Sequence, residues 1–285
     1  RITDNGSGME AEQVPLAFLR HATSKIEKVE DLTHIASLGF RGEALSSIAA
    51  VSQVELITKT PSAIGGTRYV IEGGKEQSLE EMGAPEGTTF LIRNLFYNTP
   101  ARSKFLKSDM TEAGYINTLM EQLALSHPEI SFKYIQNRQV KLSSSGNYSV
   151  KDVIYSVYGR EIAKALLEVS YENDFMKIEG FVGKPESARK KGAHQFFFVN
   201  DRYMKHPYFN KAVMTAFERM VPQGEQVPYF LYFTVAPGDI DVNIHPTKTE
   251  IKFENEQAIW QILSAAVKES LGMYNDVPTI DFDTE

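Results

Sequence analysis

The stretch Gly39-Phe40-Arg41-Gly42-Glu43-Ala44-Leu45 places two glycines directly before a helical pattern that runs to Ala50. Free backbone N–H groups at the start of a helix attract anions, and glycines let a phosphate approach the backbone closely. The stretch therefore predicts a phosphate-binding turn, although a plain loop-to-helix junction would also fit. No Walker loop competes with it, because the Gly-Lys pairs at Gly74 and Gly183 are followed by Glu and Pro instead of Ser or Thr.

A second glycine-rich stretch, Asp4-Asn5-Gly6-Ser7-Gly8-Met9, allows three interpretations. Asn-Gly is a strong hairpin signal, and Gly6-x-Gly8-x-x-Ala11 fits a loose form of the dinucleotide fingerprint. The polar residues before Gly6 disfavour the fingerprint, because a buried parallel strand should be apolar. In the third interpretation the Asp4 carboxylate accepts a hydrogen bond from the exocyclic amine of adenine, whereas guanine presents an oxygen there. A charge-assisted bond of this kind contributes about 1.5–3 kcal/mol, which is enough to select a base.

A third stretch, Asn243-Ile244-His245-Pro246-Thr247-Lys248-Thr249-Glu250, puts a lysine on a proline-rigidified turn before a strand. An exposed lysine on an edge strand would explain this pattern without any ligand. A cation that reaches across a domain boundary to a phosphate would explain it as well. The residues alone leave both explanations open.

In this order the three stretches resemble the MutL family of DNA mismatch repair proteins, within the GHKL ATPase superfamily. The Asp-x-Gly-x-Gly element that begins at Asp4 is shared across the superfamily, whereas residues 39–45 look like the MutL signature. Further matches extend to about residue 270: Arg20-His21-Ala22-Thr23-Ser24-Lys25-Ile26, Asn94-Leu95-Phe96-Tyr97-Asn98-Thr99-Pro100-Ala101-Arg102, Phe197-Phe198-Val199-Asn200 and His245-Pro246-x-Lys248. The resemblance therefore covers nearly the whole sequence.

The resemblance implies an ATP site whose residues are spread along the chain. It implies that Asp4 binds adenine, that Thr88 lies near the base, and that Lys248 senses the γ-phosphate from a second domain. A lysine on a separate domain gains its partner only when nucleotide is bound, so it would bias the domain arrangement. The full implied set is Asp4, Gly6, Gly8, Thr23, Ser24, Lys25, Gly39, Phe40, Arg41, Gly42, Glu43, Ala44, Leu45, Thr88 and Lys248, with Thr23 to Arg41 as the ATP lid.

The resemblance also implies catalytic groups that this sequence does not contain. In the family, the glutamate that activates water and the asparagine that holds Mg²⁺ precede the Asp-x-Gly-x-Gly element, with which this sequence begins. Glu43 corresponds to a phosphate-loop residue and does not replace that glutamate. We expect ATP and Mg²⁺ as the family's cofactors, with neither the general base nor a metal ligand in this chain. The six histidines show no paired metal-ligand spacing.

Composition and charge limit the partners. No run approaches the ~18 apolar residues of a membrane span, no signal peptide opens the chain, and cysteine is absent, so we expect a cytoplasmic, nucleoid-associated protein without membrane contact. The net charge of −7 does not favour tight nucleic-acid binding, so any DNA contact must be local. In the family a basic surface contacts DNA backbone where Arg202, Lys205 and Lys211 bracket a helix start, which implies weak, salt-sensitive phosphate binding.

Strand and helix patterns mix in both halves, which indicates an α/β or α+β protein. Predicted strands cover residues 51–60, 67–71, 88–94, 130–134, 139–142, 175–182, 195–200 and 229–235, and predicted helices begin near residues 15, 43, 109, 207 and 256. The resemblance implies a GHKL sandwich, a mostly antiparallel sheet covered by helices, over residues 1–148. A second αβ domain of the topoisomerase and MutL transducer type would cover residues 149–272, with the start of a linker at 273–285.

The implied function is an ATP-driven conformational switch. Nucleotide would order the lid and pair the N-terminal domains of two subunits around DNA. This homodimer would link mismatch recognition by a MutS-type protein to strand incision by a downstream endonuclease or the protein's own C-terminal nuclease domain. Three alternatives stay open: a type II topoisomerase-like ATPase subunit, a catalytically inactive fragment that binds DNA or partners, and, more remotely, a dinucleotide enzyme.

We predict that the 285-residue chain hydrolyses ATP weakly or not at all, because in the family the general base lies upstream of the motif that begins here at Asp4. A phosphate-release assay with excess ATP, run beside a longer homologue, measures this. A rate equal to that of the homologue would contradict the prediction.

Overall fold

The computed structural model describes residues 1–20, 42–242 and 249–275. The chain divides into two compact units, Arg1–Glu112 and Ala113–Glu285, each with its own sheet. Helices and mostly antiparallel strands mix in both units, which confirms the predicted fold class. Within the described residues, no helix has the length and apolar character needed to cross a membrane.

The first unit contains a five-stranded antiparallel sheet in the order β1-β5-β2-β3-β4. Its elements are β1 (Ile2–Asp4), α1 (Gln13–Ala17), α2 (Ala44–Ala50), β2 (Gln53–Lys59), β3 (Gly66–Glu72), β4 (Lys75–Met82), β5 (Gly87–Arg93) and α3 (Pro100–Ser103). Alternate residues of β2, such as Val54 and Leu56, point to one face and are buried there against Val14 of α1 and Ala49 of α2. The two helices therefore cover a single face of this sheet.

The opposite face of the first sheet mixes charged residues with apolar ones such as Ile57 and Leu91. Glu55 on β2 accepts hydrogen bonds from Arg68 on β3 (Nε to Oε1, 2.7 Å) and from Arg93 on β5 (Nη1 to Oε2, 3.0 Å). The hydrogen bonds from these two guanidinium groups hold the pKa of Glu55 below its usual value, and Arg68 makes the larger contribution. The neighbouring strand β4 was not predicted, because the polar stretch Lys75–Met82 lacks the apolar alternation of a strand that covers a core.

The second unit is built on a five-stranded sheet in the order β11-β10-β12-β9-β8, in which only β10 and β12 run parallel. Its elements are α4 (Asp109–Ser126), β6 (Lys133–Gln136), β7 (Gln139–Ser143), α5 (Val150–Tyr158), α6 (Arg160–Lys164), β8 (Leu166–Glu172), β9 (Met176–Gly183), β10 (Gln195–Val199), β11 (Arg202–Met204), α7 (Pro207–Ala216), β12 (Tyr229–Val235), β13 (Ile240–Asp241), β14 (Lys252–Phe253) and α8 (Glu256–Asn275).

Both faces of the second sheet are buried. On one face Phe197 and Leu231 pack with residues of α7 and α8, and on the other Phe196, Phe198 and Phe230 pack with residues of α4, α5 and α6. Strands buried on both faces are near-continuous apolar runs, which is why Gln195–Val199 and Tyr229–Val235 are so rich in aromatic residues.

The two units divide earlier in the chain than the predicted domain limit at residue 148. The difference arises because Leu125 of α4 and Leu142 of β7 are buried in the same cluster as Phe198 and Phe230 of the second sheet. The hairpin β6–β7 and most of α4 are therefore counted with the second unit. The limits 1–148, 149–272 and 273–285 stay a prediction about domains.

We predict that Phe198→Ala lowers the free energy of unfolding of the second unit by about 3–5 kcal/mol, because a fully buried ring leaves a cavity. Urea unfolding followed by circular dichroism measures the change. Phe175→Ala is the control, since its ring is 78% exposed and its loss should change stability by less than about 0.5 kcal/mol. Equal midpoints for the two variants would contradict the assigned core.

Candidate functional site

A row of polar side chains crosses the helix-covered face of the first sheet. The strand register pairs Asp4 with Thr88, Thr88 with Thr58, and Thr58 with Thr67. The neighbouring row on the same face is apolar and consists of Ile2, Phe90, Leu56 and Tyr69. The three threonines are buried, so the apolar core changes at this row into a line of hydroxyl groups that need partners.

The carboxylate of Asp4 is held by two backbone N–H groups. Its Oδ1 accepts from the N–H of Gly6 at 2.9 Å and from the N–H of Thr88 at 3.2 Å. Its Oδ2 has no hydrogen bond with any residue that the structure describes. One oxygen thus fixes the orientation of the carboxylate, and the other can accept a bond from a ligand.

Two glycines beside Asp4 are required by close backbone contacts. Gly8 has a φ of +69°, and a Cβ there would lie 2.2 Å from the carbonyl oxygen of Lys59. Gly87 has a φ of +102°, and a Cβ there would lie 2.2 Å from the carbonyl oxygen of Asp4. Any other residue would be strained and would push these segments apart. The stretch that begins at Asp4 therefore lies directly against the ends of β2 and β5.

Thr58 is a central residue of the site, and it was not found from the sequence. Its Oγ1 accepts from the N–H of Met9 at 3.0 Å, and it lies 3.1 Å from the carbonyl oxygen of Gly87 and 3.0 Å from Oγ1 of Thr88. The available signal was the strand alternation. Val54, Leu56 and Thr58 occupy successive inward positions of β2, and the third of them is polar although only 1% exposed.

The predicted phosphate turn is described in part. Gly42, with a φ of +64°, and Glu43 precede α2, and no side chain of the described residues caps the first turn of that helix. Leu45 of α2 and Met9 pack against the same core cluster. The part of the turn that is described, Gly42 to Leu45, and the stretch after Asp4 therefore pack against the same hydrophobic core. The predicted residues Thr23, Ser24, Lys25, Gly39, Phe40 and Arg41 lie outside the described residues.

The second unit contains the other candidates. Lys248 lies outside the described residues, and Thr249, which follows it, accepts a backbone hydrogen bond from the N–H of Lys205 at 2.8 Å. Arg202 lies on the edge strand β11, is half-buried, and has its pKa lowered by that burial. Lys205 and Lys211 are exposed on either side of the start of α7. The structure places all three predicted basic residues near the β11–α7 connection.

His206 caps the start of α7 in the same region. Its Nδ1 accepts from the N–H of Phe209 at 3.3 Å, and its Nε2 lies 3.5 Å from Oε1 of Glu256. Burial lowers the pKa of His206, although Glu256 opposes that shift.

The described residues contain no group of three or more His, Cys, Asp or Glu side chains that could hold a metal ion.

Known proteins of DNA mismatch repair are similar to this chain over its whole length. A family model for "DNA mismatch repair protein, C-terminal domain" matches residues 154–272. The DNA mismatch repair protein MutL of Bacteroides fragilis is 54% identical over 100% of this chain. The crystal structure of the N-terminal domain of a DNA repair protein is 25% identical and superimposes with a TM-score of 0.79, covering 97% of this chain and 86% of that one.

The MutL ATPase domain of Aquifex aeolicus, solved in complex with ADP, shares the fold, with a TM-score of 0.60 at 22% identity over 82% of this chain and 79% of that one. The chain is thus similar, in fold and in sequence, to DNA mismatch repair proteins. The chain belongs to the MutL family. It spans 45% of the length of the Bacteroides fragilis relative.

We predict that Gly87→Ala lowers the free energy of unfolding of the first unit by about 2–3 kcal/mol, since its φ and its contact with Asp4 both exclude a Cβ. Differential scanning calorimetry measures the change. Gly83→Ala, four positions earlier with nothing within 4 Å of its Cβ, is the matched control and should stay within about 0.5 kcal/mol of the unsubstituted chain. Equal transition temperatures for both variants would show that the contact is not required.

Proposed function

We propose that the first unit binds ATP and that the chain acts as the nucleotide-driven switch of a MutL mismatch-repair protein. One observation supports this most directly. The Oδ2 of Asp4, which has no hydrogen bond with the described residues, lies at the end of a row of buried hydroxyl groups, in a segment whose glycines bring the backbone close to β2 and β5. The arrangement suits the edge of a flat, polar base better than it suits an ion alone.

The carboxylate of Asp4 selects adenine in this proposal. With Oδ1 occupied by two N–H groups, Oδ2 accepts from the exocyclic amine of adenine. Guanine presents its carbonyl oxygen at the same position, where it would be repelled by the negative charge. Thr88 lies directly opposite Asp4 in the sheet and is within reach of the same edge of the base.

The phosphates would be held by backbone and by cations from several segments. The N–H of Gly6 holds the carboxylate of Asp4. Gly8 and the turn Gly42-Glu43-Ala44-Leu45 would provide N–H groups to the phosphates. Thr23, Ser24, Lys25, Gly39, Phe40 and Arg41 would close over them as a lid, and Lys248 of the second unit would contact the γ-phosphate. Mg²⁺ would neutralise phosphate charge, and the described residues contain no cluster of side chains that could hold a metal ion.

The output of the site is conformational. A lysine from the second unit gains a partner only while the γ-phosphate is present, so nucleotide favours one arrangement of the two units. In that state two copies of the protein pair around DNA, with weak backbone contacts from Arg202, Lys205 and Lys211. Slow hydrolysis then sets the time before the DNA is released. The partners are a MutS-type protein, which recognises the mismatch, and an endonuclease, which cuts the strand. The relative solved with ADP supports nucleotide binding at this fold.

Substitution of Asp4 tests the proposal. We expect the unsubstituted chain to bind a non-hydrolysable ATP analogue, and Asp4→Asn to raise its Kd by at least about 10-fold, because the variant loses a charge-assisted bond. Isothermal titration calorimetry measures both, with the GTP analogue as the second ligand.

Asp174→Asn is the control for the loss of one negative charge, since Asp174 is exposed in the second unit, on the turn between β8 and β9. Its Kd should equal that of the unsubstituted chain. An unchanged Kd in Asp4→Asn, or no binding of the ATP analogue by the unsubstituted chain, would contradict the proposal.

A further inference from the structure

The hydroxyl of Thr58 has three neighbours and one proton. The N–H of Met9 can only donate, so it takes one lone pair of Thr58 Oγ1 at 3.0 Å. The carbonyl of Gly87, at 3.1 Å, can only accept. Oγ1 of Thr88, at 3.0 Å, can do either. The single proton of Thr58 therefore goes to Gly87 or to Thr88, and this choice sets the role of the Thr88 hydroxyl.

The two arrangements present opposite groups to a ligand. If Thr58 donates to Gly87, then Thr88 donates its own proton to Thr58 and shows only lone pairs to its other neighbours. If Thr58 donates to Thr88, the proton of Thr88 is free to be donated elsewhere. Thr58 is 1% exposed, so water does not replace it as the partner of Thr88.

The Watson–Crick edge of adenine calls for the second arrangement. The exocyclic amine is a donor and the adjacent ring nitrogen N1 is an acceptor. A carboxylate that accepts from the amine must therefore have a donor beside it. Thr88 is next to Asp4 in the register, and its N–H already contacts Oδ1 of Asp4 at 3.2 Å. Guanine carries a proton on N1 and would need the first arrangement.

We propose that Thr58 is a positioning residue for base recognition, which donates its proton to Thr88 so that Thr88 donates to N1 of adenine, directly or through one water. This inference rests on the proposed ATP site. Thr58 does not touch the base. It acts by fixing the direction of a hydroxyl that does, and by holding Met9 at the end of the glycine-rich segment.

A comparison of ATP with 1-deaza-ATP, in which a C–H group replaces N1, tests the proposal. The unsubstituted chain should bind ATP more tightly than 1-deaza-ATP, and Thr58→Val should reduce that preference about 5-fold. Any purely structural effect of the variant, such as the lost partner of Met9, weakens the binding of both nucleotides equally and cancels in the ratio of their Kd values. The two Kd values are measured by isothermal titration calorimetry.

Two controls isolate the hydroxyl of Thr58. Thr89→Val removes a more exposed hydroxyl pair, Thr89 with Thr3 at 3.1 Å, on the opposite face of β5, and should leave the ratio unchanged. Thr58→Ser keeps the hydroxyl and should retain the preference. If Thr58→Val does not fold by circular dichroism, Thr58→Cys decides the question, because its thiol is of similar size but a much weaker donor and should also reduce the ratio.

The outcomes separate this inference from the function on which it rests. If the unsubstituted chain binds neither nucleotide, the proposed ATP site is wrong, and the role of Thr58 with it. If it binds both nucleotides equally, or if the folded Thr58 variants keep the full preference for ATP, the ATP site stands and the role of Thr58 is wrong.

Discussion

The pairing of the short edge strand β1 with β5 is the constraint on which the candidate site depends. It places Asp4 directly opposite Thr88 on the helix-covered face of the sheet. Because side chains alternate between faces, a shift of one residue would turn the carboxylate to the other side. The register is held by the contact between Gly87 and the carbonyl of Asp4, which leaves no room for a Cβ.

This pairing is compatible with buried hydroxyl groups because those of Thr58 and Thr88 are hydrogen-bonded to each other. Thr58 and Thr88 are hydrogen-bonded at the point where the apolar core of the first unit ends. A buried hydroxyl without a partner would cost roughly 1–3 kcal/mol, so the bond between Thr58 and Thr88 stabilises this end of the sheet. The same hydrogen bonds orient the groups that would face a ligand in the proposed site. They therefore contribute both to the stability of this end of the sheet and to the proposed recognition of the base.

The strands that followed from the sequence have a recognisable apolar pattern, either alternating, as in β2, or nearly continuous, as in β10 and β12. Strands β2 and β3 show clear alternation of buried and half-buried residues, and both were predicted. Strand β4 was missed because an edge strand with polar residues on both faces has no pattern to recognise. Thr58 was missed because a polar residue at an inward position weakens a strand pattern unless its partners are known.

The sequence by itself determined the family and the residue types of the candidate site, since the motif around Asp4 and the pair Gly87-Thr88 are local in the chain. Only the tertiary structure decided which of those residues meet. The N–H of Thr88 reaches Asp4 across 84 positions, and Thr58 joins them from a strand between. Local spacing sets the conformation of each segment, whereas strand order and register arise from burying the apolar faces together, so contacts between distant segments appear only in the folded chain.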